Sequence, residues 1–329
     1  MHAPDFWWRD GVIPRLLDPV GRLYGLAGHV RHHLVTPKKA GAPVICIGNL
    51  TAGGAGKTPM AIYVARRLQA MGETPQFLTR GYGGREKGPL FVDGDLHDAR
   101  QVGDEPLLLS HVAPTWVSRD RVAGAAAALA AGASQIIMDD GLQNPHLAKD
   151  IRLLVIDGAV GFGNGRLLPA GPLREPIRSA LSAIDAAIVI GKDRAAIGAS
   201  LPKNLTRFSA ALEPACDKST FKGLPVLAFA GIGRPEKFYT TLREIGARIV
   251  ETHAFPDHYA YRKADIERLL ERARQFDAVP VTTEKDHVRL PSMLGKHVEK
   301  LPVRLTVHQP ESLDELLSGV LFSPAAFVK

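Results

Sequence analysis

The chain has 329 residues, 45% of them hydrophobic and 23% charged, enough to bury a core and to build two domains of ordinary size. Its two cysteines, Cys46 and Cys216, exclude a disulfide framework and a cysteine metal cluster, and they fit a reducing cytoplasm. Lys and Arg number 41 against 34 Asp and Glu, and the resulting +7 favours an anionic partner without choosing among nucleic acid, a phosphorylated substrate and an acidic membrane face.

Residues 1–20 lack the basic start, long apolar core and small-residue cleavage site of a signal peptide. No run reaches the roughly 18–20 apolar residues that span a bilayer. The expectation is a chain that does not cross a membrane, though it can lie on one. Ile13, Leu16, Leu17, Val20, Leu23, Tyr24, Ala27, Val30 and Leu34 recur at helical spacing, with Arg15, Arg22, His29, Arg31, His32 and His33 as a basic remainder. Asp18-Pro19 reads as an N-cap followed by proline at the first helical position, which predicts a short turn and then a main helix from 19 to about 33. Trp7 and Trp8 lie just upstream. Two roles stay open for this segment, residues 1–35: packing on the first domain, or association with a membrane interface.

From residue 43, short apolar runs alternate with helical stretches: "PVICIGN", "PQFLT", "TWVS", "QIIMDD", "RLLVID" and "AAIVIG". That rhythm predicts an α/β fold, a P-loop-type, mostly parallel sheet sandwiched by helices over 36–212. A second series, "LPVLAFAGIG", "ARIVET", "AVPVTT" and "VRLTV", predicts a smaller α/β domain over 213–329, with a ligand cleft between the two.

The stretch "GNLTAGGAGKTP", residues 48–59, follows the first buried run and opens a helix. In that setting backbone N–H groups and the helix N-terminus receive phosphate oxygens. Thr51, Ala52, Gly53, Gly54, Ala55, Gly56, Lys57 and Thr58 are the predicted nucleotide loop, with Lys57 on the outer phosphates and Thr58 on a Mg²⁺. Position 51 carries threonine where glycine or alanine is usual. Pro59 sacrifices no hydrogen bond in the first helical turn. A magnesium nucleotide needs a carboxylate at the end of a neighbouring strand, and "QIIMDDGLQ" supplies Asp139 and Asp140 there. Partition-type ATPases carry a lysine at the start of the loop, where Ala52 stands; GTPases carry Asn/Thr-Lys-x-Asp, and "TTEKD" (282–286) has the wrong order.

Further motifs lie outside any generic nucleoside triphosphatase: "TRGYGGR" (79–85), "VGDEP" (102–106), "VSRDRVAG" (117–124), "LLPAGPLREP" (167–176) and "FPDHYAY" (255–261). With the loop and "DDGLQ", in this order over nearly the whole chain, they resemble the tetraacyldisaccharide 4'-kinases, the lipid A kinases of Gram-negative bacteria. The Asn-x-Thr-x-Gly-Gly lead-in to the loop is part of that resemblance.

The resemblance implies transfer of the ATP γ-phosphate to the 4'-hydroxyl of a tetraacyldisaccharide 1-phosphate, giving lipid IVA, by a peripheral enzyme on the cytoplasmic face of the inner membrane. It implies Asp104 as the base near the sugar hydroxyl, His258 as the partner that tunes it or takes the proton in turn, and Lys57 on the β and γ phosphates. Thr58, Asp139, Asp140 and Glu175 become the Mg²⁺ environment, with the directly ligating aspartate left open. Arg80 and Arg174 are the phosphate-binding candidates among several arginines that include Arg119 and Arg121. Leu142 and Asn144 depart from the family pattern, and an imidazole at 144 is thereby excluded. No nucleic acid and no obligatory protein partner is expected. Two other readings of the nucleotide loop stay open, a soluble P-loop kinase of a small sugar or nucleotide and a nucleotide-gated partition ATPase.

Overall fold

The computed structural model describes residues 4–321; residues 1–3 and 322–329, the ends of the expected first and last segments, lie outside the described residues. Thirteen strands are described: β1 (Val44–Gly48), β2 (Pro75–Thr79), β3 (Leu90–Phe91), β4 (Thr115–Val117), β5 (Gln135–Asp139), β6 (Ile151–Asp157), β7 (Ala186–Ile190), β8 (Thr206–Pro214), β9 (Pro225–Ala230), β10 (Arg248–Ala254), β11 (Val279–Thr283), β12 (Glu299–Leu301) and β13 (Val303–Val307). Nine of them form one sheet in the order β13-β8-β7-β6-β1-β5-β2-β4-β3; the other four form a second, β10-β9-β11-β12. From β8 through β4 all neighbours are parallel, and only the edge strands β13 and β3 run antiparallel.

Strands buried on both faces read as continuous apolar runs, and β1 has no exposed position. Alternate side chains serve two cores. Ile45, Ile47, Ile137 and Val155 pack with Met60, Val64 and Leu68 of the helix Lys57–Ala70. On the other face Val44, Cys46, Ile136 and Met138 pack with Ala125 and Ala128 of the helix Arg121–Ala130. Because β1 lies between β5 and β6, the chain departs to either side of it, and the crevice past its carboxyl end is where open α/β sheets bind ligands.

Two expectations are corrected. "VRLTV" does not belong to the second series: β13 returns to the large sheet, pairing Val303 with Pro214 and Val307 with Ala210 of β8, a strand the sequence reading passed over. The helix Pro310–Leu321 then places Leu313 and Leu317 in the first core. The N-terminal helix runs from Val12 to His33 with Pro19 inside it, so Asp18 is not its cap. Asp18 instead pairs with Arg22 (2.9 Å) and Arg166 (2.9 Å).

That helix leaves most of its apolar stripe outside the contact by which it docks. Its buried positions are Pro14, Gly21 and Gly25, and a Cβ on Gly25 would meet Leu167 Cδ1 at 2.6 Å. Glycine here permits close approach of two backbones. Leu16 (73% exposed), Leu23 (67%), Leu26 (58%) and Leu34 (80%) face outward. No helix among the described residues is long and apolar enough to cross a membrane.

Candidate active site

β1 ends at Gly48, and the chain turns through Asn49–Gly56 into the helix Lys57–Ala70. Gly56 caps that helix at φ 90°, a left-handed conformation that glycine adopts without strain. At Gly53 and Gly54 an added Cβ would meet nothing within 4 Å, so this side of the turn is open. Thr51 bridges Leu173, and the Ala52 amide donates to the Pro172 carbonyl (2.7 Å), which ties the loop's first half to the 167–176 segment. Ala55 is buried in the core. The Lys57 ammonium, itself buried, donates to Asn49 Oδ1 (3.2 Å) and lies 3.6 Å from Asp140 Oδ1.

At the end of β5, Asp139 accepts from the Thr58 hydroxyl through Oδ2 (3.1 Å), while its buried Oδ1 has no hydrogen-bond partner. Burial pushes the Asp139 carboxyl up to about 7; the Glu105 and Asp140 charges add to this, and Lys57 and Thr58 oppose it. Asp140 takes φ 54°, an uncommon conformation for a side-chain-bearing residue and one that recurs at functional sites. Arg174 Nη1 donates to both of its oxygens (3.0 and 3.1 Å). Burial raises the Asp140 carboxyl, but Lys57 and Arg174 outweigh it and hold the group below the usual carboxylate range. Glu175 accepts from Gln143 Nε2 (2.7 Å), which also donates to the Asn49 carbonyl (3.1 Å). Arg80 follows β2 and is exposed, close enough for its charge to act on Arg121.

The second sheet completes the crevice. Asp104 begins the helix Asp104–Ser110 and is 3% exposed. Its Oδ2 meets His258 Nδ1 at 3.0 Å across 154 residues of sequence, with Arg289 Nε at 3.4 Å and Lys285 Nζ at 4.0 Å. Its Oδ1 accepts the Glu105 amide (2.9 Å). Burial alone would raise this carboxyl, yet the His258 hydrogen bond and the Lys285 and Arg289 charges hold it at about 2. An ionised carboxylate only accepts, so His258 Nδ1 carries the proton. Lys285 Nζ approaches His258 Nε2 (3.4 Å) and bonds Glu105 Oε1 (3.1 Å). Burial works against its charge, but Glu105, Asp104 and Asp257 outweigh burial and hold it above the ordinary lysine range. The structure therefore brings Asp104 and His258 together and gathers Lys57, Thr58, Asp139, Asp140 and Arg174 around the loop; Glu175 joins through Gln143.

A sequence profile of the family described as tetraacyldisaccharide-1-P 4'-kinase matches residues 13–321. The chain belongs to this family. A relative from Rhodospirillum rubrum named tetraacyldisaccharide 4'-kinase is 49% identical, over 98% of this chain and 98% of its own. Another of that name from Paramagnetospirillum magneticum is 51% identical, over 97% of this chain and 99% of its own. The crystal structure of LpxK from Aquifex aeolicus in complex with ATP is similar at a TM-score of 0.77 and 27% identity, covering 94% of this chain and 100% of that one.

Within this kinase fold, the sequence reading missed Asn49, Gln143, Glu105, Lys285 and Arg289 as parts of the site. Asn49 stands inside the quoted loop motif, and its place eight residues before Lys57 was a usable signal. Lys285 lies in "TTEKD", read there only as a failed GTPase motif. Arg234, whose guanidinium pairs with Asp157 at the end of β6, is a further contact between the two sheets and had no local signal.

Proposed function

We propose that the chain is an ATP-dependent kinase that moves the γ-phosphoryl group onto the 4'-hydroxyl of a tetraacyldisaccharide 1-phosphate, making lipid IVA in lipid A biosynthesis. The observation that carries this reading is the Asp104–His258 pair, joined from two sheets beside an open phosphate loop with a buried lysine. Lys57 and the loop amides hold the β and γ phosphates, and Arg174 and Arg80 supply further positive charge. Positioning and charge neutralisation carry most of the catalysis in phosphoryl transfer.

Asp104 accepts a hydrogen bond from the acceptor hydroxyl and aims its oxygen at phosphorus. In a loose transition state the hydroxyl proton is lost late, so a carboxylate held near 2 still orients the nucleophile. His258 fixes the carboxylate's orientation through Nδ1–H, and Lys285 fixes the imidazole.

Thr58 and Asp139 fit a magnesium ion: a hydroxyl and a buried carboxylate oxygen lacking a partner stand together beside the loop. No group of three or more His, Cys, Asp or Glu able to hold a metal occurs among the described residues. Thr58 and Asp139 would hold such an ion, with phosphate oxygens and water as its other ligands. Such an ion would supply neutralisation of the charge on the transferring phosphate. Asp140, held by Arg174 and Lys57, and Glu175, held by Gln143, would stand around it.

The outward leucines of the helix Val12–His33, with the half-exposed Trp8, support a peripheral seat on the cytoplasmic face of the inner membrane. Replacing Leu16 and Leu23 together by glutamate is expected to weaken binding to lipid vesicles by roughly tenfold or more per leucine, with thermal stability unchanged. Flotation assays check it; undiminished vesicle binding would remove this helix from the membrane role. The kinase reading itself is tested with purified protein, γ-labelled ATP, Mg²⁺ and tetraacyldisaccharide 1-phosphate in detergent. Labelled lipid is the expected product, and folded protein that yields none would sink the proposal.

A further inference from the structure

The segment "TTEKD" (282–286) lies outside the nucleotide loop, yet its last acid is fully buried. Asp286 accepts hydrogen bonds from the Gly231 amide (2.8 Å), the Tyr261 hydroxyl (2.8 Å), the Thr283 hydroxyl (2.6 Å) and Arg289 Nη2 (2.7 Å). Arg289, buried as well, donates to the carbonyls of Lys285 (3.0 Å), Tyr259 (3.2 Å) and Gly231 (3.0 Å). The Gly231 carbonyl also accepts the His258 amide (3.1 Å). One buried ion pair therefore ties down the backbone of both His258 and Lys285. A buried polar network with its partners supplied holds a single arrangement. His258 needs such a hold, because its backbone stands at φ 57°, a conformation that persists only where the surroundings enforce it.

The knot sets a lysine against an imidazole. Asp104 Oδ2 meets His258 Nδ1 at 3.0 Å, Asp257 Oδ1 lies 3.9 Å from Nε2, and the Tyr82 ring stands edge-on at 5.3 Å. Lys285 Nζ, 3.4 Å from Nε2, is the one cation within hydrogen-bond reach of the ring among the described residues. Behind these, Glu105 Oε1 holds Lys285 (3.1 Å), and Arg289 Nε stands 3.4 Å from Asp104 Oδ2. The two carboxylates draw a second proton to the ring, and the ammonium repels it. Burial works against the Lys285 charge, but Glu105, Asp104 and Asp257 outweigh burial, so the ammonium keeps its proton. An ammonium only donates, so its bond to Nε2 requires a lone pair there.

We propose that Lys285 is a positioning residue: carried by the Asp286–Arg289 knot, it keeps His258 neutral, with the ring's proton on Nδ1 and a lone pair on Nε2. The use of that lone pair rests on the kinase reading above, in which His258 orients Asp104; a neutral ring can also take the hydroxyl proton in turn, and an imidazolium cannot.

The test reads His258 directly. Protein labelled with ¹⁵N-histidine, without nucleotide or acceptor, is titrated from about pH 5 to about pH 8 by long-range ¹H–¹⁵N correlation, the signal being assigned by its loss in His258→Gln. The wild type is expected to carry its ring proton on Nδ1 at neutral pH. In Lys285→Met the His258 midpoint should rise by about one pH unit or more. Lys285→Met/Glu105→Gln, which leaves no unpaired carboxylate behind, should shift it in the same direction, with thermal melts reporting the fold of both variants. In the kinase assay the deficit of Lys285→Met relative to wild type should be about tenfold larger at pH 6 than at pH 8, whereas a purely structural loss is equal at both. A wild-type ring protonated on Nε2 alone, or a midpoint that neither variant moves, overturns the proposal. The titration uses no substrate, so a wild type that forms no labelled lipid would sink the kinase reading and leave this result standing.

Discussion

Replacing Asp104 by asparagine is expected to lower kcat by about 10²–10⁴ while leaving the KM for ATP unchanged. Asparagine preserves the shape but cannot take the hydroxyl proton, and its amide cannot reproduce the field that the carboxylate applies to His258. His258→Ala should cost less, because it removes the positioning partner and leaves the acceptor of the proton. The double variant should fall little below Asp104→Asn alone, since groups that act as a unit are non-additive. Steady-state kinetics on the three variants check this, and full additivity would break the pairing. The same substitution has a stability signature. The folded carboxyl sits at about 2 against 3.8 for an unperturbed one, so its folded pKa is depressed. Its contribution, about 2 kcal/mol, is present above pH 4 and lost as pH falls towards 2. Denaturant melts should therefore show wild type ahead of Asp104→Asn at pH 7, with the gap narrowing below pH 4 and closing near pH 2.

The parts of this site legible in the sequence are those whose chemistry is local. Strand, glycine turn, Gly-Lys-Thr and helix follow one another in the chain, and Asp139-Asp140 end a run of apolar residues, so spacing alone placed both at the carboxyl edge of a parallel sheet. Asp104 and His258 became candidates only through the family resemblance, because nothing local joins residues 154 apart. Lys285, Arg289 and Gln143 were missed for the same reason: each acquires its meaning from a partner on another element. The fold's misread strand has a different cause. Val303–Val307 reads like its neighbours in sequence, and only pairing with β8, itself partly polar and exposed, decides that it belongs to the large sheet. The N-terminal helix was legible as amphipathic but not as to which face docks. Periodicity finds the apolar stripe; that the packed face is Pro14, Gly21 and Gly25 is set by the close approach of Leu167.

The 164–176 segment physically connects that helix to the chemistry. Asn164 donates to the Phe6 carbonyl and Pro169 accepts from the Trp7 indole, while Arg166 pairs with Asp10 and Asp18. A few residues on, Pro172 and Leu173 hold the phosphate loop and Arg174 holds Asp140. Anchoring the helix at a lipid surface would therefore fix the position of the loop relative to that surface, which is what a kinase of a membrane-embedded acceptor requires.

Asp139→Asn is expected to make the protein without ligand more stable and nearly inactive. Asp139 is fully buried with one oxygen unpartnered, and its carboxyl is pushed up to about 7. A raised folded pKa in an acid means that the folded state retains a proton the unfolded chain has released. Stability therefore falls as pH rises from about 4, the unfolded value, to about 7, and stays low above it. Asparagine carries no charge and removes that penalty. Its thermal midpoint should exceed the wild type's at both pH values, with a gap at pH 8 about two to three times that at pH 5, at roughly 2–4 °C per kcal/mol. Activity should fall by about 10²–10³, the usual effect of deleting one preorganised electrostatic partner of the transition state. Nucleotide with Mg²⁺ should raise the wild-type midpoint, because a cation at Oδ1 favours the ionised form, and should do so much less in the variant. Differential scanning fluorimetry at the two pH values, with and without Mg²⁺-nucleotide, reads all of this. A variant less stable than wild type at pH 8, or one stabilised equally by Mg²⁺-nucleotide, would show that the buried oxygen is structural. The opposite pattern would mean that the fold carries a destabilising carboxylate at the end of β5 because the phosphoryl-transfer site uses its charge.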